Sequence, residues 1–99
     1  MTWYTLSEEA EKQLQEIVDY TQQRWGEDQA IRYFDGFLAQ FEAIVRQRVR
    51  RRPIPASFGV EGWLCRYGRH FIYWTTASDE SVRIVTILHE RMQQRASLK

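Results

Sequence analysis

Cysteine is almost missing from this chain: Cys65 is the one thiol in 99 residues, so no intramolecular disulfide can staple the fold. Proline occurs only at Pro53 and Pro55, which leaves residues 1–52 free of that helix breaker. No apolar run approaches the roughly 20 residues that a bilayer span requires, and no N-terminal stretch joins a basic start to a long apolar centre. No membrane role is expected, and the chain reads as cytoplasmic. The G-x-S-x-G elbow, the P-loop, the H-E-x-x-H pair and the dinucleotide-binding glycine pattern are all missing, which removes the usual support for hydrolases and nucleotide-dependent enzymes. Cys65, His70 and His89 are the only soft metal-ligand residues, and none has the close-paired spacing of a structural zinc site. No metal and no cofactor are expected.

What is present suits one domain over residues 1–99, a length that buries roughly 65% of the unfolded surface without staples. The formal net charge of +1 hides an asymmetry: residues 1–45 carry three basic and nine acidic side chains, residues 46–99 eleven basic and four acidic. Such a dipole steers polyanions or acidic partners toward the basic half. Five of those basic residues are Arg46, Arg48, Arg50, Arg51 and Arg52. The favoured reading is a solvated helix end that complements the macrodipole, the other a patch for nucleic acid or an acidic partner.

Trp3 to Leu6 is a short β-prone run, after which Ser7 is a good N-cap for a helix whose first turn holds Glu8, Glu9 and Glu11. Ala10, Leu14, Ile17, Val18, Thr21 and Trp25 make one apolar stripe, and Gly26 is placed to end the helix. A second helix is expected from Glu27 to about Arg48, with Ala30, Phe34, Phe37, Leu38, Phe41 and Val45 as its stripe. The short connection implies an antiparallel hairpin. Ile31, Tyr33 and Ile44 widen the second helix's apolar arc, which either fills the core on two sides or leaves a face for a partner; core filling is favoured. Residues 53–62 read as a loop, and WLCRY, HFIYWTT and VRIVTIL then read as a meander of three antiparallel strands. The order is β-α-α-β-β-β, an α+β fold with a helical hairpin packed on a small antiparallel sheet. A last short helix is expected over Met92 to Leu98.

The segment RIVTILHERM, residues 83–92, joins a buried strand to a polar cluster where it emerges, and so marks a first candidate site. His70 and His89 with Arg66, Arg69 and Arg91 have the residue types of an RNA-cleaving site, with histidine to move protons and arginine to stabilise the phosphorane. The reading favoured over it has His70 beginning a strand and packing, Arg69 serving a turn and Arg66 facing solvent. Cys65, inside a β-rich stretch, reads as an inert small hydrophobe. Trp3, Trp25, Trp63 and Trp74 read as core, Trp25 above all, with Trp63 the one expected to be partly exposed.

Three collinear segments carry a family resemblance over almost the whole length: LSEEAEKQLQEIVDYTQQRWGEDQA, GWLCRYGRHFIYW and IVTILHERM. The chain resembles the ParE branch of the RelE/ParE superfamily, toxins of type II toxin–antitoxin modules associated with plasmid stabilisation. The resemblance implies a RelE/ParE-like fold, a ParD-like antitoxin that wraps the toxin in a hetero-oligomer, and poisoning of DNA gyrase by binding rather than by catalysis. No sequence-specific nucleic-acid binding is expected. The related RelE branch is a ribosome-dependent mRNA endonuclease, and that is the alternative, with His70, His89 and Arg91 as its residues here. Its strand arginine appears in this chain as His70 and its C-terminal tyrosine position as Ser97, so the nuclease set is incomplete. A third reading is a toxin-fold protein that binds an antitoxin and has no activity. Within the ParE pattern, Leu64 stands where many members carry arginine. The expected gyrase contacts are His89, Arg91 and Met92. The expected antitoxin contacts are Tyr33, Phe37, Phe58 and Trp63, met by an amphipathic segment laid along the second helix and the sheet.

Overall fold

In the computed structural model, residues 3–91 are described. Strand β1 (Tyr4–Leu6) passes straight into helix α1 (Glu8–Trp25) through Ser7. The Ser7 hydroxyl accepts from the Ala10 N–H at 3.0 Å and donates to the Val85 carbonyl at 2.6 Å, so one side chain caps the helix and ties it to the sheet. A single residue, Gly26, separates α1 from α2 (Glu27–Val45). Its N–H donates to the Gln22 carbonyl and its own carbonyl accepts from Ala30, so it closes one helix and opens the next. It does so at φ 97° and ψ 170°, a region that only glycine enters without strain.

Helix α2 stops at Val45, short of the expected Arg48, and the reason is backbone geometry. Gln47 adopts φ 57°, and the bonds Gln47 N–H to Ile44 carbonyl and Arg48 N–H to Ala43 carbonyl form a Schellman motif. Glutamine rarely fills this left-handed position, so the stop leaves no compositional mark. Arg46 alone sits at the helix end. Arg48 to Arg52 run away from it, so the macrodipole does not account for most of the arginine run.

The rest of the chain is strand β2 (Arg52–Pro53), a 3-10 turn (Ala56–Phe58), β3 (Trp63–Tyr67), β4 (His70–Thr76) and β5 (Val82–His89). Strands β3, β4 and β5 form the expected antiparallel meander, and β2, at the start of the segment 53–62 expected to be loop, adds antiparallel to β3. The spatial order is β1-β5-β4-β3-β2, with β1 parallel to β5, which makes the five-stranded sheet mixed. A parallel neighbour needs a long crossover, and everything from α1 to β4 supplies it. The expected final helix over Met92 to Leu98 lies outside the described residues.

A β-bulge decides how β5 packs. Tyr73 faces Thr86 while Trp74 faces Ile84, so Val85 has no partner. Strict alternation would send Ile84 and Ile87 to opposite faces; the extra residue puts both in the main core with Cys65, Ile72, Trp74, Val82, Phe37 and Phe41. The opposite face carries a smaller cluster of Ile54, Leu64, Phe71 and Tyr73, covered by Phe58. Trp74 is core as expected and Trp63 is half-buried, but Trp3 and Trp25 are exposed. Trp25 is 67% exposed because the chain reverses at the next residue and no element packs over the end of α1. Ile31 and Phe34 are exposed too, so this part of the wide α2 arc is a bare face, while Ile44 fills the core.

Beyond Ile84, β1 no longer covers β5, and Gln13 of α1 takes over that edge. Its amide oxygen accepts from the Ile87 N–H at 2.7 Å, and its amide nitrogen donates to the Thr86 hydroxyl at 2.9 Å. Gln13→Ala is expected to lower stability by about 1–2 kcal/mol, because it orphans a partly buried backbone donor. Urea unfolding checks this, and slowed hydrogen exchange at Ile87 should be lost in the variant.

Candidate functional site

Four of the candidate residues meet where the end of α2's first half crosses the β3–β4 turn. His70 begins β4 opposite His89 at the end of β5, with ring centroids 5.2 Å apart. The Tyr33 hydroxyl lies 2.8 Å from His70 Nδ1, and its ring stacks on Tyr67 at 5.4 Å. The close approach depends on Gly36, where any Cβ would overlap the Tyr67 hydroxyl. Phe37 lies beneath, 4.7 Å from Tyr67 and 5.8 Å from His70. It is fully buried and therefore core, not the surface contact expected of it. Helical spacing puts Tyr33 and Phe37 on one stripe; which of them reaches solvent depends on what the sheet covers.

Burial keeps His70 and its tyrosine neighbours uncharged. Burial, and after it the neighbouring His89, lowers His70 from 6.5 to about 4, against an opposing pull from Glu90. Burial likewise raises the Tyr33 and Tyr67 phenols. At neutral pH His70 is uncharged and exchanges a hydrogen bond with a neutral tyrosine. The nearby cations are engaged: Glu90 accepts Arg66 at 2.7 Å and lies 3.7 Å from Arg69. Arg91 is exposed, and its backbone N–H donates to His89 Nδ1 at 3.2 Å. Met92 lies outside the described residues.

Phe58 and Trp63 are elsewhere. Phe58 stacks on Tyr73 at 5.9 Å across the sheet face away from the helices, and Trp63 packs against the helix-side core with the Arg51 guanidinium 3.9 Å from its ring. The four expected antitoxin contacts therefore do not form one surface. A feature that the pattern of residues did not reveal is a shallow apolar groove of about 360 Å³ between Leu6, Leu14, Val18 and Phe34, rimmed by Glu11 and Gln15. Among the described residues, no group of His, Cys, Asp or Glu is placed to hold a metal ion, and no helix is long and apolar enough to cross a membrane.

A helical hairpin packed on a five-stranded mixed sheet is the architecture of the RelE/ParE superfamily of toxins. The family described as ParE toxin of type II toxin-antitoxin system, parDE, matches residues 4–94. Toxin ParE of Escherichia coli is 34% identical over 95 residues, covering 93% of this chain and 88% of that protein. Toxin ParE1 of Caulobacter vibrioides is 30% identical over 95 residues, covering 96% of each. A chain of the chromosomal ParDE TA system from P. aeruginosa has the same fold, with a TM-score of 0.67 at 16% identity over 90% of this chain and 95% of that one. The chain belongs to the ParE toxin family of type II toxin–antitoxin systems.

Proposed function

We propose that this toxin is held inactive in the cytoplasm by a ParD-like antitoxin, in a hetero-oligomer, and that when free it binds DNA gyrase and stabilises a harmful state of it on DNA. The observation that carries the toxin half is the family match over residues 4–94. A partner protein is supported by the description of the P. aeruginosa structure as a ParDE system and by the exposed Ile31 and Phe34, which with Tyr33 offer an amphipathic antitoxin segment a place along α2.

Action by binding rather than by RNA cleavage is supported by the state of the candidate nuclease residues. A general acid works best with a pKa near the working pH, and His70 titrates near 4. Arg66 and Arg69 face Glu90 instead of an open phosphate site. His89 and Arg91, at the end of β5, are the proposed gyrase contacts. Purified toxin at micromolar excess is expected to inhibit gyrase supercoiling or raise gyrase-dependent DNA cleavage, and Arg91→Glu to abolish the effect while leaving the thermal melt unchanged. Translational arrest with cut mRNA on induction, in place of filamentation with DNA-damage signalling, would establish the RelE-like alternative and overturn this one. An antitoxin-binding chain that does neither would be the inactive toxin-fold protein.

A further inference from the structure

Strand β2 is short, and this leaves one edge of the sheet open. It pairs only Arg52 with Leu64 and Pro53 with Trp63, so β3 runs on through Cys65, Arg66 and Tyr67 without a strand neighbour on that side among the described residues. The Tyr67–His70 pair closes the two-residue turn to β4, and ladder alternation then directs the Arg66 backbone N–H and carbonyl away from β4, toward the open side. A groove of about 600 Å³ lies along this edge.

The walls of the groove differ in character. Arg48, Arg50, Arg52 and Arg66 line it, and the first three have no carboxylate partner among the described residues. The Arg52 and Arg66 guanidiniums lie 5.7 and 5.6 Å from the Phe71 ring, on the sheet face away from the helices, with Arg66 also paired to Glu90. The floor toward the helices is mostly apolar, made by the buried Cys65 with Val49 and Ala43 beside it, and Gln40 is its polar member, its amide nitrogen donating to Cys65 Sγ at 3.6 Å. Unpaired arginines in a concave surface bind carboxylates through paired N–H donors. An open strand edge binds another extended backbone, whose side chains alternate between the two faces.

We infer that the groove beside β3 is a docking site for an extended segment of a partner protein in which acidic and apolar residues alternate. The acids meet Arg52, with Arg48 and Arg50 alongside, while Arg66 stays paired with Glu90, and the apolar residues lie over Cys65 and Val49. A nucleic-acid strand would use the arginines but not the strand edge, and the acidic first half of a second copy of this chain is helical where its charge is densest, at Glu8, Glu9 and Glu11. The site is independent of whether gyrase is the toxin's target.

The test uses the whole chain and a short synthetic peptide alternating Glu with Val. Addition of the peptide is expected to shift the NMR amide signals of Leu64 to Tyr67 and to slow hydrogen exchange at Arg66. Its affinity should fall about tenfold or more in the double variant Arg50→Glu, Arg52→Glu, a loss in the range of one or two charge-assisted hydrogen bonds. Both arginines are exposed and lack ion pairs among the described residues, so the variant is expected to melt like the parent chain. A peptide with Lys in place of Glu should not bind. Equal binding of the two peptides, unchanged affinity in the double variant, or shifts away from β3 would overturn the assignment. So would tighter binding of a thymidine oligonucleotide at the same arginines, or a dimer of the chain that the double variant abolishes, since these would name nucleic acid or a second copy as the occupant.

Discussion

Replacing Phe37 with alanine is expected to cost about 3–5 kcal/mol, a large share of the roughly 5–15 kcal/mol that holds a domain of this size together. Phe37 is fully buried, and its ring touches Tyr33, Phe41, Tyr67 and His70, so it joins α2 to the two strands of the β3–β4 hairpin. Removing it leaves a cavity bounded by aromatic rings that cannot collapse without moving the Tyr33–His70 pair. Urea unfolding of the purified chain measures the loss, and Phe37→Leu should recover most of it. A Phe37→Ala chain with parental stability and weakened antitoxin binding would instead place this residue in an interface.

Acid is expected to weaken the fold between pH 6.5 and about 4, through His70. In the unfolded chain His70 takes up a proton below about 6.5; in the folded chain burial and His89 postpone that to about 4. Across this window the unfolded state binds the extra proton, so stability is full above pH 6.5 and falls as the pH drops. The shift corresponds to about 3 kcal/mol, and solvent screening of a half-buried ring reduces that to about 2 kcal/mol. Glu90, just past the end of β5, opposes the loss. Urea midpoints measured across the window should slope in the parent chain and flatten in His70→Gln. An equal slope in the variant would assign the acid sensitivity to other groups.

The elements that could be foreseen are those set by neighbours in the chain. Ser7 and the acids after it announce α1, Gly26 ends it, and the β-rich runs from Trp63, His70 and Val82 become β3, β4 and β5. The stop of α2 was hidden because Gln47, not glycine, takes the left-handed position. The exposed Trp25 and Phe34 were hidden for a different reason. A stripe of apolar residues shows which face of a helix is greasy, but not how far along the helix the neighbouring layer extends.

The candidate site divides in the same way. His70 and His89 could be named as chemically interesting, and their pairing follows once β4 and β5 are set in register. That they lie beside Tyr33 and that His70 is pushed to about 4 follows from the packing of α2 across the hairpin turn, over the space that Gly36 leaves open. The basic run Arg46 to Arg52 stood out as charge alone; the early end of α2 and the two-residue length of β2 turn it into one wall of a groove.

The sequence by itself determined the α+β class, the order of the main elements and, through three collinear motifs, the toxin family, because capping, periodicity and motif order are local properties read directly from neighbouring residues. The tertiary structure alone decided the parallel place of β1 beside β5, the bulge at Val85, the burial of Phe37 and the open edge of β3. Each of these joins residues far apart in the chain, where register and coverage by another layer, not local propensity, set the outcome.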